Sequence, residues 1–322
     1  MNTHDHADAP LSLLTRALTR FVAADGSITH VDAVPLGGGM SGAAVWRYHV
    51  QYSTAAGHAA TSFVTKVAES HEWHTLLHLN MQQQPNVPFA CALDNAAGER
   101  VLMCMQDVGN ITRPTSLDPI TDEYLRREAN GLAVIHSANA PHAEALHWLP
   151  RMDRAFIEEM LWQRTWRPVW EAALANHAFC DTFRHEIPRV EAAAAAIVSD
   201  MAALCAETES QTLIHADINP SNVLVQDGMP YFIDWQAAML GPFYVDLPHH
   251  HCTLAQAELY RQALATFGWT IAPPDFAERY RVAARYIGLR YMWWTLEYWL
   301  EDHTQTAWVQ HYIGLVTGDG LS

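Results

Sequence analysis

Apolar residues recur along this chain in two periods, and the change from one to the other divides it. Leu11, Leu14, Leu18 and Val22 follow helical spacing over Leu11 to Ala24, and Asp25-Gly26 closes the segment in a turn. Three runs rich in β-branched and aromatic residues come next: Thr29 to Leu36, Ala43 to Tyr52 and Ala60 to Val67, bounded by Gly37-Gly38-Gly39 and Ala56-Gly57. Short turns between such runs predict an antiparallel meander. A helix is expected from Glu72 to Gln82, with Leu76 and Leu79 on one face. An apolar strand from Val101 to Met105 then leaves into the loop Asp107-Val108-Gly109-Asn110. From Asp122 the period is that of helices: Tyr124 to Ala138, Arg154 to Asn176, Val190 to Ala206, and two or three more after Leu254. One stretch interrupts them. Leu213 to Trp235 holds an apolar run, a polar loop, Val223 to Val225, a turn at Asp227-Gly228, and Tyr231 to Ile233, which together predict a hairpin carrying a loop. No internal repeat of roughly 20–50 residues is present. The pattern implies an α+β protein, with a small antiparallel-sheet lobe over residues 1–105 and a larger, mainly helical lobe over residues 106–322.

Composition narrows the class. With 322 residues, 50% hydrophobic and 17% charged, the chain can bury a core without disulfide staples. Nineteen basic against 35 acidic residues leave a formal charge of −16, which argues against the basic face that nucleic-acid binding needs. Cationic or neutral ligands fit that charge better. Five scattered cysteines without a CxxC pair are expected to be reduced thiols. Met1 to Pro10 lacks the basic-then-apolar order of a signal peptide, and no apolar run is long enough for a membrane helix, so a cytoplasmic location is expected. No motif bears on the oligomeric state. Lys66 is the only lysine among the 19 basic residues. An ammonium kept where every other cation is a guanidinium marks a position at which the two are not interchangeable.

The densest chemistry lies in Leu213-Ile-His-Ala-Asp-Ile-Asn-Pro-Ser-Asn222 and Phe232-Ile-Asp-Trp235. Phosphoryl transfer to an alcohol needs a carboxylate to orient the hydroxyl and take its proton, oxygen ligands for Mg²⁺, and cations on the phosphates. Asp217 can supply the first; Asn222, five residues on, and Asp234 across the hairpin supply hard oxygen ligands. This is the H-x-D-x-x-x-x-N plus D order of kinase catalytic loops. Upstream, Gly37, Gly38, Gly39 and Ser41 fall between two predicted strands, where bare backbone can approach phosphates. Lys66 sits on the next strand, and Glu72 opens the helix after it, placed to pair with the lysine. Met103 and Met105, on the strand from Val101, offer a backbone edge for an adenine or guanine.

In this order the residues resemble the aminoglycoside phosphotransferase and choline kinase-like family, small-molecule kinases with the bilobal protein-kinase-like fold. The counterparts are Gly37 to Gly42, Lys66, Glu72 with Leu76 and Leu79, Leu132-Ala-Val-Ile-His136, His215 to Asn222 and Ile233-Asp234-Trp235. The resemblance spans most of the chain and implies Mg²⁺ and ATP or GTP as cofactors. It also implies that Asp246, in Gly241-Pro-Phe-Tyr-Val-Asp-Leu247, braces the catalytic loop. Two departures stand out: Ala216 replaces the family's glycine, and the glycine turn lacks the family's consensus.

Only 11 residues separate Asp234 from Asp246 and no Ala-Pro-Glu follows, leaving no room for the activation segment of a protein kinase. The expected acceptor is therefore a small-molecule hydroxyl: an amino sugar or aminoglycoside, a choline-like alcohol or another metabolite, with a cationic one suiting the charge. The rival class is a non-catalytic kinase-like module that binds nucleotide or a partner. His249-His250-His251-Cys252 is adjacent rather than spaced, and neighbouring side chains point different ways, so a metal site is not expected. His136 and His215 are read as structural. Ile287, Tyr291, Trp294 and Tyr298 form a helical stripe that is either core packing or, with Glu297, Glu301 and Asp302, a wall for a cationic acceptor.

Overall fold

The computed structural model describes residues 11–38, 44–93 and 99–322. The chain forms two compact units: Met1–Thr112 with Asn222–Ala237, and Arg113–Ser221 with Ala238–Ser322.

In the first unit, helix α1 (Leu11–Phe21) buries Leu13, Leu14, Ala17 and Leu18 on one face; of the stripe expected from spacing Leu14 and Leu18 are buried, whereas Leu11 and Val22, at the two ends, are exposed. The meander is β1 (Ser27–Gly38), β2 (Ala44–Thr54) and β3 (Gly57–Glu69), each longer than its apolar centre because antiparallel pairing carries the ladder into the polar flanks. Gly37 and Gly38 end β1, paired with Val45 and Ala44, rather than opening a loop. Helix α2 (Ser70–Met81) follows, then β4 (Ala90–Ala92) and β5 (Arg100–Gln106), giving the antiparallel order β1-β2-β3-β5-β4. Leu13, Leu14 and Leu18 of α1 join Tyr48, Val50, Phe63, Cys91 and Cys104 in one core cluster. A hairpin, β7 (Val223–Gln226) and β8 (Met229–Phe232), packs with this unit through Asn86, whose side chain donates to Pro230 O at 2.8 Å and whose carbonyl accepts from Phe232 N at 2.8 Å. Asp227 and Gly228 make its turn in the left-handed region that a tight hairpin requires.

The second unit is built on α3 (Asp122–Asn139), capped by Thr121 through Tyr124 N. The predicted helix from Arg154 is interrupted: α4 (Arg154–Glu158) runs through a π turn at Glu159–Arg164 before α5 (Trp166–Leu174). Thr165 takes Met160 O with both its N–H and its hydroxyl, at 2.9 and 2.8 Å, and this five-residue closure ends the α pattern. The break lets Pro168 fall in the first turn of α5, where its missing N–H costs nothing. Helix α6 (His177–Thr182) leads to α7 (Ile187–Ala206), which begins ahead of the predicted Val190 because Pro188 is pre-set for a first turn. Short strands β6 (Gln211–Ile214) and β9 (Met239–Pro242) pair antiparallel, an arrangement the periodicity does not disclose. Helices α8 (Leu254–Ala265), α9 (Pro273–Asp302) and α10 (Thr306–Thr317) complete the unit.

Candidate active site

In the first unit Lys66 is almost fully buried, and its Nζ lies 2.9 Å from Glu72 Oε1 and 2.5 Å from Asp234 Oδ1. Strand β3, the first turn of α2 and the second residue after β8 thus deliver one cation and two carboxylates to a single point. Burial works against the ammonium, but Glu72 and Asp234 outweigh it and raise the Lys66 pKa. Burial pushes the Glu72 carboxyl up, opposed by Lys66. Asp234 has φ of +63°, a left-handed conformation that a non-glycine residue adopts at a cost and that turns the chain out of β8.

These side chains close the polar end of a slot of about 180 Å³. Leu36, Val45, Val64, Met105, Leu224 and Ile233 form its apolar walls, and Asn222 lines the same slot. Such a slot suits a flat ring with an anionic tail. Met105 presents its side chain there, whereas Met103 is fully buried. Gln106 N bonds Phe89 O at 2.9 Å, so the alternation of β5 directs the backbone groups of Met103 and Met105 to their β3 partners, Lys66 and Val64. The edge of β5 open to a ligand is its exit, where Val108 and Gly109 line the slot. That exit is pinned by Arg47, whose guanidinium holds Asp107 at 2.7 Å and Gly109 O at 3.2 Å, a clamp with no signature in the local pattern of residues. Gly37 and Gly38 end β1, while Gly39 and Ser41 lie outside the described residues.

Asn222 and Asp234 are both oxygen donors on one slot, the donor set that Mg²⁺ takes from protein when phosphate and water complete its shell. Among the described residues no group of three or more His, Cys, Asp or Glu is arranged to hold a metal.

Asp217 belongs to the second unit, in the loop between β6 and Asn222. Asp246 is fully buried and accepts from His215 N at 2.7 Å and Ala216 N at 2.8 Å, so it fixes the turn that presents Asp217. Burial opposes the Asp246 carboxylate, yet His136 and His215 keep its pKa below the ordinary value. His136 lies with Nε2 3.2 Å from Asp246 Oδ2 and Nδ1 2.7 Å from Tyr260 Oη, and is a buried strut. The His215 ring accepts from Asp217 N at 3.4 Å. The Tyr291 hydroxyl donates to Asp217 Oδ1 at 2.5 Å, a contact across 74 residues that only the aromatic stripe of α9 hinted at. Along that stripe Ile287 is buried, Tyr291 and Trp294 are half-buried and Tyr298 is exposed, so it runs from core to surface. His249, His250 and His251 are buried: His250 Nδ1 lies 2.9 Å from Glu128 Oε1, which also takes Arg113 Nε at 2.9 Å.

A five-stranded antiparallel sheet with its lysine–glutamate pair, together with a braced H-A-D loop in a helical unit, defines a phosphotransferase of the protein-kinase-like fold. A family model described as the APH phosphotransferase enzyme family matches residues 32–292, and the chain belongs to that family. Among solved structures, spectinomycin phosphotransferase in complex with ADP and spectinomycin is similar at a TM-score of 0.55 and 14% identity, over 91% of this chain and 89% of that one. An aminoglycoside phosphotransferase, APH(4)-Ia, gives 0.53 and 15%, over 97% and 99%. A microcompartment-associated aminopropanol kinase gives 0.57 and 14%, over the same shares of 97% and 99%. Identities this low carry the fold alone. A search of curated protein sequences finds no match. Among the described residues no helix is long and apolar enough to cross a membrane.

Proposed function

We propose that the protein transfers the γ-phosphoryl group of Mg²⁺-bound ATP or GTP to a hydroxyl of a small molecule. The observation that carries this reading is the Lys66, Glu72 and Asp234 cluster closing an apolar slot that also holds Asn222. Leu36, Val45 and Met105 would sandwich the base, with its hydrogen bonds made by the backbone at Val108. Lys66, held by Glu72, places the phosphates, and Asn222 and Asp234 hold Mg²⁺, which supplies positive charge against the phosphate oxygens. Gly37, Gly38, Gly39 and Ser41 are assigned to covering the phosphates. Asp217 orients the acceptor hydroxyl and takes its proton while oxygen bonds to the γ-phosphorus and the bond to the β–γ bridging oxygen breaks.

The acceptor class is an amino sugar or aminoglycoside, a choline-like alcohol or another metabolite alcohol. The relatives named above act on spectinomycin, other aminoglycosides and aminopropanol, and the charge of −16 suits such cations. The test is release of nucleoside diphosphate from Mg·ATP and Mg·GTP against aminoglycosides, amino sugars, choline, homoserine, 1-amino-2-propanol and simple sugars. One acceptor class should stimulate release in the wild type. Asp217→Asn should lose at least about 1000-fold in turnover while still binding nucleotide, and Asp234→Ala should weaken Mg-nucleotide binding itself. Full activity in Asp217→Asn would remove the assignment of the base, and nucleotide binding indifferent to Asp234→Ala would remove that of the metal site.

A further inference from the structure

We propose that Tyr291 is a positioning residue for the phosphotransfer step, its hydroxyl fixing the orientation of the Asp217 carboxylate. This inference rests on the reading of Asp217 as the base.

The loop that carries Asp217 is held at two levels. Asp246 accepts from the backbone N–H groups of His215 and Ala216 and so sets the path of the chain. That hold stops short of the Asp217 side chain, which is half-buried and has two rotatable bonds of its own. The second hold is Tyr291: its hydroxyl donates to Asp217 Oδ1 at 2.5 Å and stands 3.5 Å from Ala216 O. A carboxylate with one oxygen bonded to a fixed hydroxyl keeps its plane, and with it the direction in which it meets an incoming alcohol.

The hydroxyl can do this only if the ring itself is fixed, and it is. Tyr291 lies in mid-helix on α9, one turn after the buried Ile287. The His249 ring stands edge-on to it with centroids 4.0 Å apart, and the Arg290 guanidinium lies 5.2 Å from its centroid. His249 packs on Tyr312 as well, which ties the clamp to α10. The electrostatics agree with the geometry. Burial raises the Tyr291 pKa far above its ordinary value, so the phenol remains a donor and does not compete for the alcohol's proton. Burial lowers the His249 pKa well below the ordinary value, so a neutral imidazole faces the ring. Arg290, buried with Tyr291, Tyr286 and Asp217 nearby, has its pKa raised by them and keeps its charge.

Tyr291→Phe tests this, because it removes one oxygen and retains the ring packed by His249 and Arg290. The probe is phosphate release from Mg·ATP with water as the acceptor, which requires no knowledge of the physiological alcohol. Rates are read well below each variant's melting midpoint, with KM for ATP as the check on folding. The expected result is a fall in kcat of about 10- to 100-fold with KM within about twofold of wild type. In an Asp217→Asn background, measured in single turnover, the same change should cost no further rate. A kcat within about twofold of wild type, a rise in KM alone, or a full additive loss in the Asp217→Asn background would each overturn the proposal. An Asp217→Asn variant that hydrolyses Mg·ATP like wild type is a different failure, that of the base assignment, and is read from the single variant alone.

Discussion

Ala216 sits between His215 and Asp217 with φ of +61°, in the left-handed region where a Cβ crowds the following carbonyl oxygen. Its N–H is held by Asp246, so the conformation is imposed by the loop and not chosen by the residue. Ala216→Gly should therefore raise stability, by about 0.5–1 kcal/mol once the strain relieved is set against glycine's larger entropy in the unfolded chain. Thermal and urea melts read this directly; a melting midpoint lowered by the change would show that the loop bears no strain there. At this scale the sequence was informative where chemistry is local. Asp217, Asn222 and Asp234 are recognisable from spacing, and Lys66 from being a lone ammonium. Tyr291 was visible only as one member of an aromatic stripe, because its partner lies 74 residues away and neither neighbourhood encodes the other.

Among elements, α9 and α10 come together at Gly288. A Cβ placed there would stand 2.7 Å from Val316 Cγ2 and 2.9 Å from Tyr312 O, so the helices approach as closely as they do only because the side chain is missing. Glycine inside a helix ordinarily costs about 1 kcal/mol relative to alanine. Here the expected sign is reversed: Gly288→Ala should destabilise by about 1–3 kcal/mol, since backbone and a branched side chain must both give way. Chemical denaturation of the variant checks this, and a neutral or stabilising outcome would mean that α10 shifts freely. Long periodic elements such as α1, α3 and α7 were legible to within a few residues. The strands β4, β6 and β9 were not, because three or four residues are too few to establish a period and their stability comes from pairing partners far along the chain. The break between α4 and α5 was written in Thr165 and Pro168, but a hydroxyl competing for a carbonyl five residues back leaves no periodic trace.

For the whole molecule, the interior contains an unusual share of titratable groups. Burial lowers His250 and His311 to about 4, and lowers His249 and His251 as well. Each of these binds a proton in the unfolded chain near pH 6.5 but not in the folded one, so between roughly 6.5 and 4 the unfolded state takes up more protons and stability falls with falling pH. Against burial, His250 and Arg113 hold Glu128 down to about 2, and His136 and His215 hold Asp246 below its ordinary value. Their contribution is present above the ordinary carboxylate range and is lost at still lower pH. The melting temperature should therefore be highest above pH 7 and decline steadily from pH 6.5 to 4.5. Melts in buffers spanning pH 8 to 4.5 check this; a flat profile between 7 and 5 would contradict the burial of uncharged imidazoles. The change of period marks a sheet part and a helical part, but it does not disclose that Asn222–Ala237, expected within the helical lobe of residues 106–322, belongs to the sheet unit; family membership follows from the order of the motifs.

The lysine at the polar end of the slot is the only side chain of its kind in 322 residues. Reagents and enzymes that act on ε-amines, by acylation, methylation or isopeptide formation, consequently have one side-chain address on this protein. That address is shielded by the fold and paired to two acids. The other 18 basic side chains are arginines and offer them no decoy, so lysine side-chain chemistry on the native protein is confined to the point on which its proposed activity turns.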